Sequence, residues 1–242
     1  MPDISAAPAA IFFDLDDTLL DDQAASTAGL HALMDLLGHP DFPAARRLWD
    51  VQTDLSFGAY IAGRLTLTEQ RRERVRALAT QAGHSTVADE HCDDLYQRYL
   101  AAHRSAWRTF DDVVPALNAI ATAGIRLGVI TNGIEALQHE KLATLDIIQH
   151  FPVVVCADSA GAGKPDARIF HIACQRLGVA PQHAWHVGDQ LRADALGALA
   201  GGLRPILIDR HGVNAGQTEL PTITGLEQLL RLAGVPATSG IL

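Results

Sequence analysis

The sequence predicts an α/β protein, a doubly wound parallel sheet interrupted after its first strand by an all-helical insertion. Three observations carry this. Short apolar runs bounded by Gly, Asp or Pro have the length and composition of strands buried on both faces. They alternate with segments whose apolar residues recur at helical spacing. The alternation breaks once, across residues 21–108, where the readable patterns are all helical. A chain of 242 residues has room for a core plus an insert, which predicts a core of residues 1–20 and 109–242 carrying an inserted unit of residues 21–108.

Taken in order, the first strand is Ala10 to Phe13. In the insert, Leu30, Leu33, Met34 and Leu37 repeat at i, i+3, i+4, i+7, and Ala44 to Gly63 is less regular. Thr66 and Glu69 form a capping box ahead of a helix whose apolar face is Val75, Leu78, Ala79 and Ala82. Its arginines, Arg71, Arg72, Arg74 and Arg76, are assigned to the wet face. A further pattern runs from Val87 to Leu100, making about four helices in all. The core resumes with a helix marked by Val113, Leu117 and Ile120, and the second strand is Leu127 to Ile130. Ile134, Leu137 and Leu145 mark the next helix and Val153 to Cys156 the third strand. Ile169, Ala173 and Leu177 mark a helix stopped by Gly178. Ala184 to Val187 and Ile206 to Ile208 complete the strands, and Leu226, Leu229, Leu230 and Ala233 mark a last helix. Strands alternating with helices in this way make the core Rossmann-like.

Composition narrows the function. Apolar residues at 48% and charged residues at 19% describe a globular chain, and a net charge of -9 repels phosphodiester backbones and anionic lipid headgroups, so neither nucleic acid nor membrane is an expected partner. No apolar run reaches the ~18 residues of a membrane span, and the first ten residues lack the charged-then-apolar build of a signal peptide. Cys92, Cys156 and Cys174 form no CxxC pair and read as reduced core thiols. The expected location is the cytoplasm, as a monomer or homodimer.

In open α/β sheets ligands collect at the carboxyl ends of the strands, and here those ends are unusually polar. The first ends in Asp14-Leu15-Asp16-Asp17-Thr18 and the second in Thr131-Asn132-Gly133. Gly163-Lys164-Pro165-Asp166 follows the third, and the fourth ends in Gly188-Asp189 with Asp194 close behind. Taken alone, the aspartates after the first strand are equally readable as turn and capping residues. Converging on one crevice, however, they repel each other and raise one another's pKa unless cations compensate. A hard divalent ion such as Mg²⁺ together with Lys164 would do so, leaving a cationic slot for an anion. A nucleotide phosphate loop is excluded, because Asp158 stands where its first Gly belongs and Pro165 replaces its Ser or Thr. His183 and His186, at a strand edge, read as structural rather than as ligands.

These four sets, in this order, resemble the haloacid dehalogenase-like hydrolase superfamily over about Ala10 to Asp209. The insert looks like the helical cap of one branch, and Thr131-Asn132-Gly133 is most similar to the small-molecule phosphatases of the pyrimidine 5′-nucleotidase and sialic acid 9-phosphate phosphatase type. The resemblance implies that Asp14 attacks phosphorus and becomes an aspartyl phosphate. A carboxylate of ordinary pKa, about 4, is ionised at neutral pH and needs no activating base. Asp16 would protonate the leaving oxygen and then take a proton from the hydrolytic water, while giving its backbone carbonyl to Mg²⁺. Asp14 and Asp189 would be carboxylate ligands, with Asp194 tightening the metal shell or pairing with Lys164. Thr131 and the amides of Asn132 and Gly133 would hold phosphoryl oxygens.

The resemblance also separates reactions. Family dehalogenases usually carry an aromatic residue where Asp16 stands, since halide leaves without a proton; phosphonate hydrolases use a cap lysine, and residues 21–108 contain none. The expected activity is hydrolysis of a small phosphorylated metabolite. A sugar phosphomutase with the same Asp pair, or a non-enzymatic receiver-like module phosphorylated on Asp14, stays open. Phe57, Tyr60 and Arg64 are candidate substrate contacts in the insert, against the plainer reading of an amphipathic helix with a solvated arginine.

Overall fold

The computed structural model describes residues 7–213 and 218–236. The chain divides into two compact units, Met1–Asp21 with Arg108–Leu242, and Asp22–Trp107. The second unit is helical throughout its elements: α1 (Asp22–Leu37), α2 (Phe42–Ile61), α3 (Leu67–Gln81) and α4 (Asp89–Ser105). Leu30, Leu33, Met34 and Leu37 of α1 pack with Trp49, Val75, Leu78, Ala79, Leu95 and Tyr99 in one core, each buried Leu, Met or Val contributing about 2 kcal/mol by leaving water. The capping box forms: Thr66 N–H donates to Glu69 Oε2 at 2.7 Å and Glu69 N–H to Thr66 Oγ1 at 3.2 Å.

The four expected helices form, and one side-chain expectation is corrected. The less regular stretch from Ala44 to Gly63, counted among the four, is a single helix, α2, started by Asp41, whose Oδ1 accepts from Ala44 N–H at 2.9 Å. It shows little periodicity because only Ala45, Trp49 and Ser56 of its 20 residues are buried. Arg74 is not on a wet face. It precedes Val75 and lies four residues before Leu78 on the apolar stripe, where its guanidinium sits over the rings of Trp49 and Tyr96 and donates to the Tyr96 hydroxyl at 2.8 Å.

In the first unit six parallel strands form one sheet. They are β1 (Ala10–Phe13), β2 (Arg126–Thr131), β3 (Val153–Cys156), β4 (Ala184–Gly188), β5 (Arg204–Ile208) and β6 (Thr222–Ile223), in the order β3-β2-β1-β4-β5-β6. All four residues of β1 are fully buried, as a central strand covered on both faces must be. The strand order reverses direction between β1 and β4, the switch point at whose carboxyl end open α/β sheets bind their ligands. The strands are linked and flanked by α5 (Val113–Thr122), α6 (Glu135–Thr144), α7 (Ala157–Ala160), α8 (Ala167–Leu177), a π-helical turn over Leu191–Leu196, α9 (Gly197–Ala200) and α10 (Leu226–Leu232). Asp166 caps α8 by accepting from Arg168 N–H at 2.9 Å, and Gly178 ends it with φ 66°, as expected.

Sequence reasoning missed β6, only two residues long, and the short turns at 157–160 and 191–200. It also misplaced the inner face of α6: Ile134, Leu137 and Leu145 are only half-buried, whereas Gln138, Lys141 and Leu142 are buried. The three cysteines are free and buried as expected, and burial pushes the Cys156 thiol up to about 12 and that of Cys174 to about 11. No helix among the described residues is long and apolar enough to cross a membrane.

Candidate active site

The ladder of β1 extends one residue past the strand, where Asp14 N–H donates to the carbonyl of Val187 at 2.8 Å. This puts the Asp14 carboxyl at the switch point, 4% exposed. The chain then folds back at once: Leu19 and Leu20 N–H both donate to the carbonyl of Leu15 at 2.9 Å, and Asp17 takes a left-handed φ of 56°. Of the three aspartates after β1, Asp17 therefore serves the turn.

Lys164 is the hub of the buried part. Its Nζ donates to Asp14 Oδ1 and to Asp194 Oδ1, each at 2.6 Å. Asp194 is completely buried and also accepts from His186 Nε2 at 2.8 Å and from Gln190 N–H at 3.1 Å. Because a carboxylate only accepts, the proton of His186 sits on Nε2. Gly188 cannot be anything else: a Cβ there would lie 2.2 Å from Cγ of Asp194. His186 is thus structural as expected, but it lies in β4, between β1 and β5, rather than at an edge, and it braces a motif carboxylate from below. His183 is exposed and precedes the strand.

Carboxylate oxygens of Asp14, Asp189 and Asp194 lie within 4.8 Å of one another. Burial first, then the neighbouring carboxylates, raises Asp14 to about 7 and Asp189 to about 9, with Lys164 acting the other way. For Asp194 burial works in the same direction, but the Lys164 ammonium and His186 outweigh it and hold the carboxyl well below the usual range. Lys164 in turn is held above its ordinary value: burial opposes its charge, and Asp14 and Asp194 more than compensate. Asp14 is therefore harder to ionise than a carboxylate of ordinary pKa when Lys164 is its one counter-charge. One ammonium does not neutralise three clustered carboxyl groups, two of them buried, and an all-oxygen donor set of this kind suits a hard divalent cation.

The second motif faces the same end of the sheet. Thr131 is 2% exposed, and its Oγ1 accepts from Gly133 N–H at 3.1 Å and from Gln138 Nε2 at 2.7 Å. With both lone pairs engaged, the Thr131 O–H is left to donate, which is what an anionic oxygen requires. The Gly133 amide, expected to bind a phosphoryl oxygen, is engaged with Thr131 here. Asn132 clamps the third motif, its Oδ1 accepting from Lys164 N–H at 2.6 Å and its Nδ2 donating to the Lys164 carbonyl at 3.0 Å. Asp16 accepts from Lys141 Nζ at 2.6 Å and from Gln138 Nε2 at 3.1 Å.

Gln138, Lys141 and His186 are the site neighbours that sequence reasoning missed. For Gln138 and Lys141 a signal existed: two polar residues three apart on the helix that opens directly after Thr131-Asn132-Gly133. In the helical unit, Phe57 and Tyr60 are half-buried at the end of α2 with ring centroids 5.8 Å apart, and Arg64 is exposed in the turn that follows.

Known proteins resemble this chain over most of its length. A family model for haloacid dehalogenase-like hydrolases matches residues 8–202. The chain is 30% identical over 223 residues to phosphoserine phosphatase of Thermus thermophilus, covering 83% of this chain and 88% of that protein. It is 30% identical over 212 residues to human N-acylneuraminate-9-phosphatase, 84% of each. The crystal structure of the hydrolase YfnB of Bacillus subtilis bound to magnesium shares the fold with a TM-score of 0.79 at 22% identity, covering 96% of this chain and 100% of that one. Fold and site define an α/β enzyme whose prominent polar groups are carboxylates gathered at the end of its sheet. The chain belongs to the haloacid dehalogenase-like hydrolases.

Proposed function

We propose that this enzyme, a phosphatase by its family and its relatives, hydrolyses small-molecule phosphate monoesters with Mg²⁺ through an aspartyl phosphate on Asp14. The observation that carries the reading is the pairing of buried Asp14 with Lys164 beside the Thr131 hydroxyl motif, at the carboxyl end of the sheet. Asp14, Asp189, the Asp16 carbonyl and Asp194 would hold the ion, which supplies positive charge against the incoming phosphoryl group and the clustered carboxylates.

An Asp14 oxygen attacks phosphorus as the ester oxygen departs, and Asp16 gives that oxygen its proton. A water then loses a proton to Asp16 and attacks the same phosphorus, releasing inorganic phosphate and the Asp14 carboxylate. Thr131, the amides of Asn132 and Gly133, and Lys164 hold the phosphoryl oxygens; in this role the Gly133 amide exchanges its bond to Thr131 for one to phosphate. Dehalogenation is disfavoured because it has no use for a proton donor at Asp16.

Steady release of inorganic phosphate from p-nitrophenyl phosphate with Mg²⁺ tests the reading against a receiver module or an efficient mutase, neither of which sustains it. Asp16→Asn tests the acid. Phosphoenzyme formation, followed by rapid quench, should slow by about 10² or more with a poor leaving group and far less with p-nitrophenolate. Equal losses on the two substrates would remove Asp16 from that role.

Substrate choice is assigned to Phe57, Tyr60 and Arg64 of the helical unit, an assignment that rests on the resemblance of residues 21–108 to a specificity cap. Replacing each by Ala should reorder kcat/KM among natural phosphate esters, by about 10 to 200-fold for a contact of methylene size. Acetyl phosphate, which has little to contact beyond the phosphoryl group, should change little. Equal losses on acetyl phosphate and the best natural ester, in variants that calorimetry shows to be folded, would place specificity elsewhere.

A further inference from the structure

Of the chain's 19 basic Lys and Arg residues only two are lysines, Lys141 and Lys164. Both are buried, at 3% and 7% exposure, and both end at 2.6 Å on a motif carboxylate, Lys164 on Asp14 and Lys141 on Asp16. Every other basic side chain of these two types is an arginine, so a lysine ammonium on a flexible stem occurs only at these two positions.

Gln138, one turn before Lys141 and 1% exposed, divides its two amide hydrogens between Asp16 Oδ2 and Thr131 Oγ1. Its Oε1 is buried with no hydrogen-bond partner among the described residues. An unmet buried carbonyl is costly, and here it accompanies the use of both amide hydrogens on the two motifs. The glycine of the second motif follows from the same contact, since a Cβ on Gly133 would lie 2.2 Å from Gln138 Nε2.

We propose that Lys141 and Gln138 are positioning residues that seat the Asp16 carboxyl and tie it to Thr131, so that the proton-transferring group and the phosphoryl-binding hydroxyl are held as one unit. This rests on the role given to Asp16 above. The Asp16 side chain is 34% exposed and that of Lys141 4%, so the seat is rigid on the helix side while the carboxyl stays open to a substrate or water. When Asp16 carries the proton destined for the leaving oxygen, the protonated oxygen becomes a donor and accepts more weakly than the carboxylate did. The longer bond, 3.1 Å from Gln138, is the weaker of the two, and Lys141 keeps the group in place meanwhile. When the hydrolytic water returns a proton to Asp16 the cycle repeats, with no net change in either positioning residue. An ion pair with a purely structural role would also hold α6 to the β1 loop, and the difference lies in which substrates suffer.

The test compares phenyl phosphate, whose leaving group needs a proton, with p-nitrophenyl phosphate, whose leaving group scarcely does. Lys141→Met and Gln138→Met keep the volume and remove the bonds. Each should lower kcat/KM for phenyl phosphate by at least about tenfold more than for p-nitrophenyl phosphate. In an Asp16→Asn background neither should add a further selective loss, as residues acting through one group are not additive. Equal losses on both esters, or losses that add to Asp16→Asn, would overturn the proposal. An Asp16→Asn variant with no leaving-group selectivity would instead overturn the acid assignment itself.

Should either variant fail to fold, the intact protein still decides. Enzyme labelled with [ε-¹³C]lysine has two side-chain NMR signals to follow. Asp16→Asn should move one and Asp14→Asn the other, and an Asp16→Asn spectrum with both signals unmoved would refute the contact on which the proposal stands.

Discussion

Asp14→Asn should abolish turnover, by about 10⁴-fold or more, the scale on which losing a covalent nucleophile falls. It should do so without unfolding the protein. The amide is nearly isosteric, and Lys164 keeps Asp194 at 2.6 Å as its counter-charge, so no buried ammonium is stranded. Stability should even gain in one window. Burial raises Asp14 to about 7, so in the metal-free protein its charged form is disfavoured and costs stability as pH rises through that value. Above about pH 7 the metal-free Asn variant should therefore melt no lower than the parent, a function-for-stability exchange common at reactive sites. Calorimetry at pH 8 together with acid-quench trapping of the phosphoenzyme checks both halves. Retained phosphoenzyme in the Asn variant would remove Asp14 as nucleophile.

Removing the metal should be nearly as severe. With the carboxyl groups of Asp14, Asp189 and Asp194 within 4.8 Å of one another, chelation should bring turnover to background, and Mg²⁺ should restore it. Full activity with elemental analysis showing no metal would overturn this. The same carboxylates predict how metal binding depends on pH. Asp14 at about 7 and Asp189 at about 9 both lie above their unfolded values. The metal-free fold thus keeps its full stability from these groups only where both are protonated, and loses it progressively as pH rises toward about 9. A cation requires the ionised forms, so the Tm difference between Mg²⁺-loaded and metal-free protein should widen from about pH 6 to about pH 9. Asp194, depressed by Lys164 and His186, contributes in the opposite sense, its stabilisation being lost only as pH falls below the usual carboxylate range. A Tm difference independent of pH would mean that these groups do not hold the ion.

What could be read from the residues is what local patterns report. Ala10–Phe13 had to be a strand buried on both faces because an unbroken apolar run cannot keep one face wet, and the structure buries all four residues. Thr66 and Glu69 mark a helix start because the two groups they satisfy lie within one turn of each other. The motif residues Asp14, Thr131, Lys164 and Asp194 stand out because polar side chains interrupt apolar strands where a doubly wound sheet gathers ligands. Each of these inferences needs only neighbours in the sequence or the general geometry of the fold.

The rest depended on partners distant in the chain. Periodicity detects apolar side chains that face a core, so it pointed to Ile134 and Leu137 on α6 and passed over Gln138 and Lys141, which are buried by pairing with Asp16 and Thr131. Arg74 is dry for the same kind of reason, since the faces of Trp49 and Tyr96 replace the water an arginine would otherwise keep. His186 could be recognised as structural from its place beside a strand, but its bond to Asp194 exists only because the chain turns back after Gly188. The amino-acid sequence by itself determined five of the six strands, the start of α3 and the motif residues, because these follow from hydrophobic period, local capping and chemistry at strand ends. Tertiary structure alone decided which polar side chains are buried against those motifs, because a buried polar group is stable only through the partner that meets it, and that partner is chosen by packing across the fold.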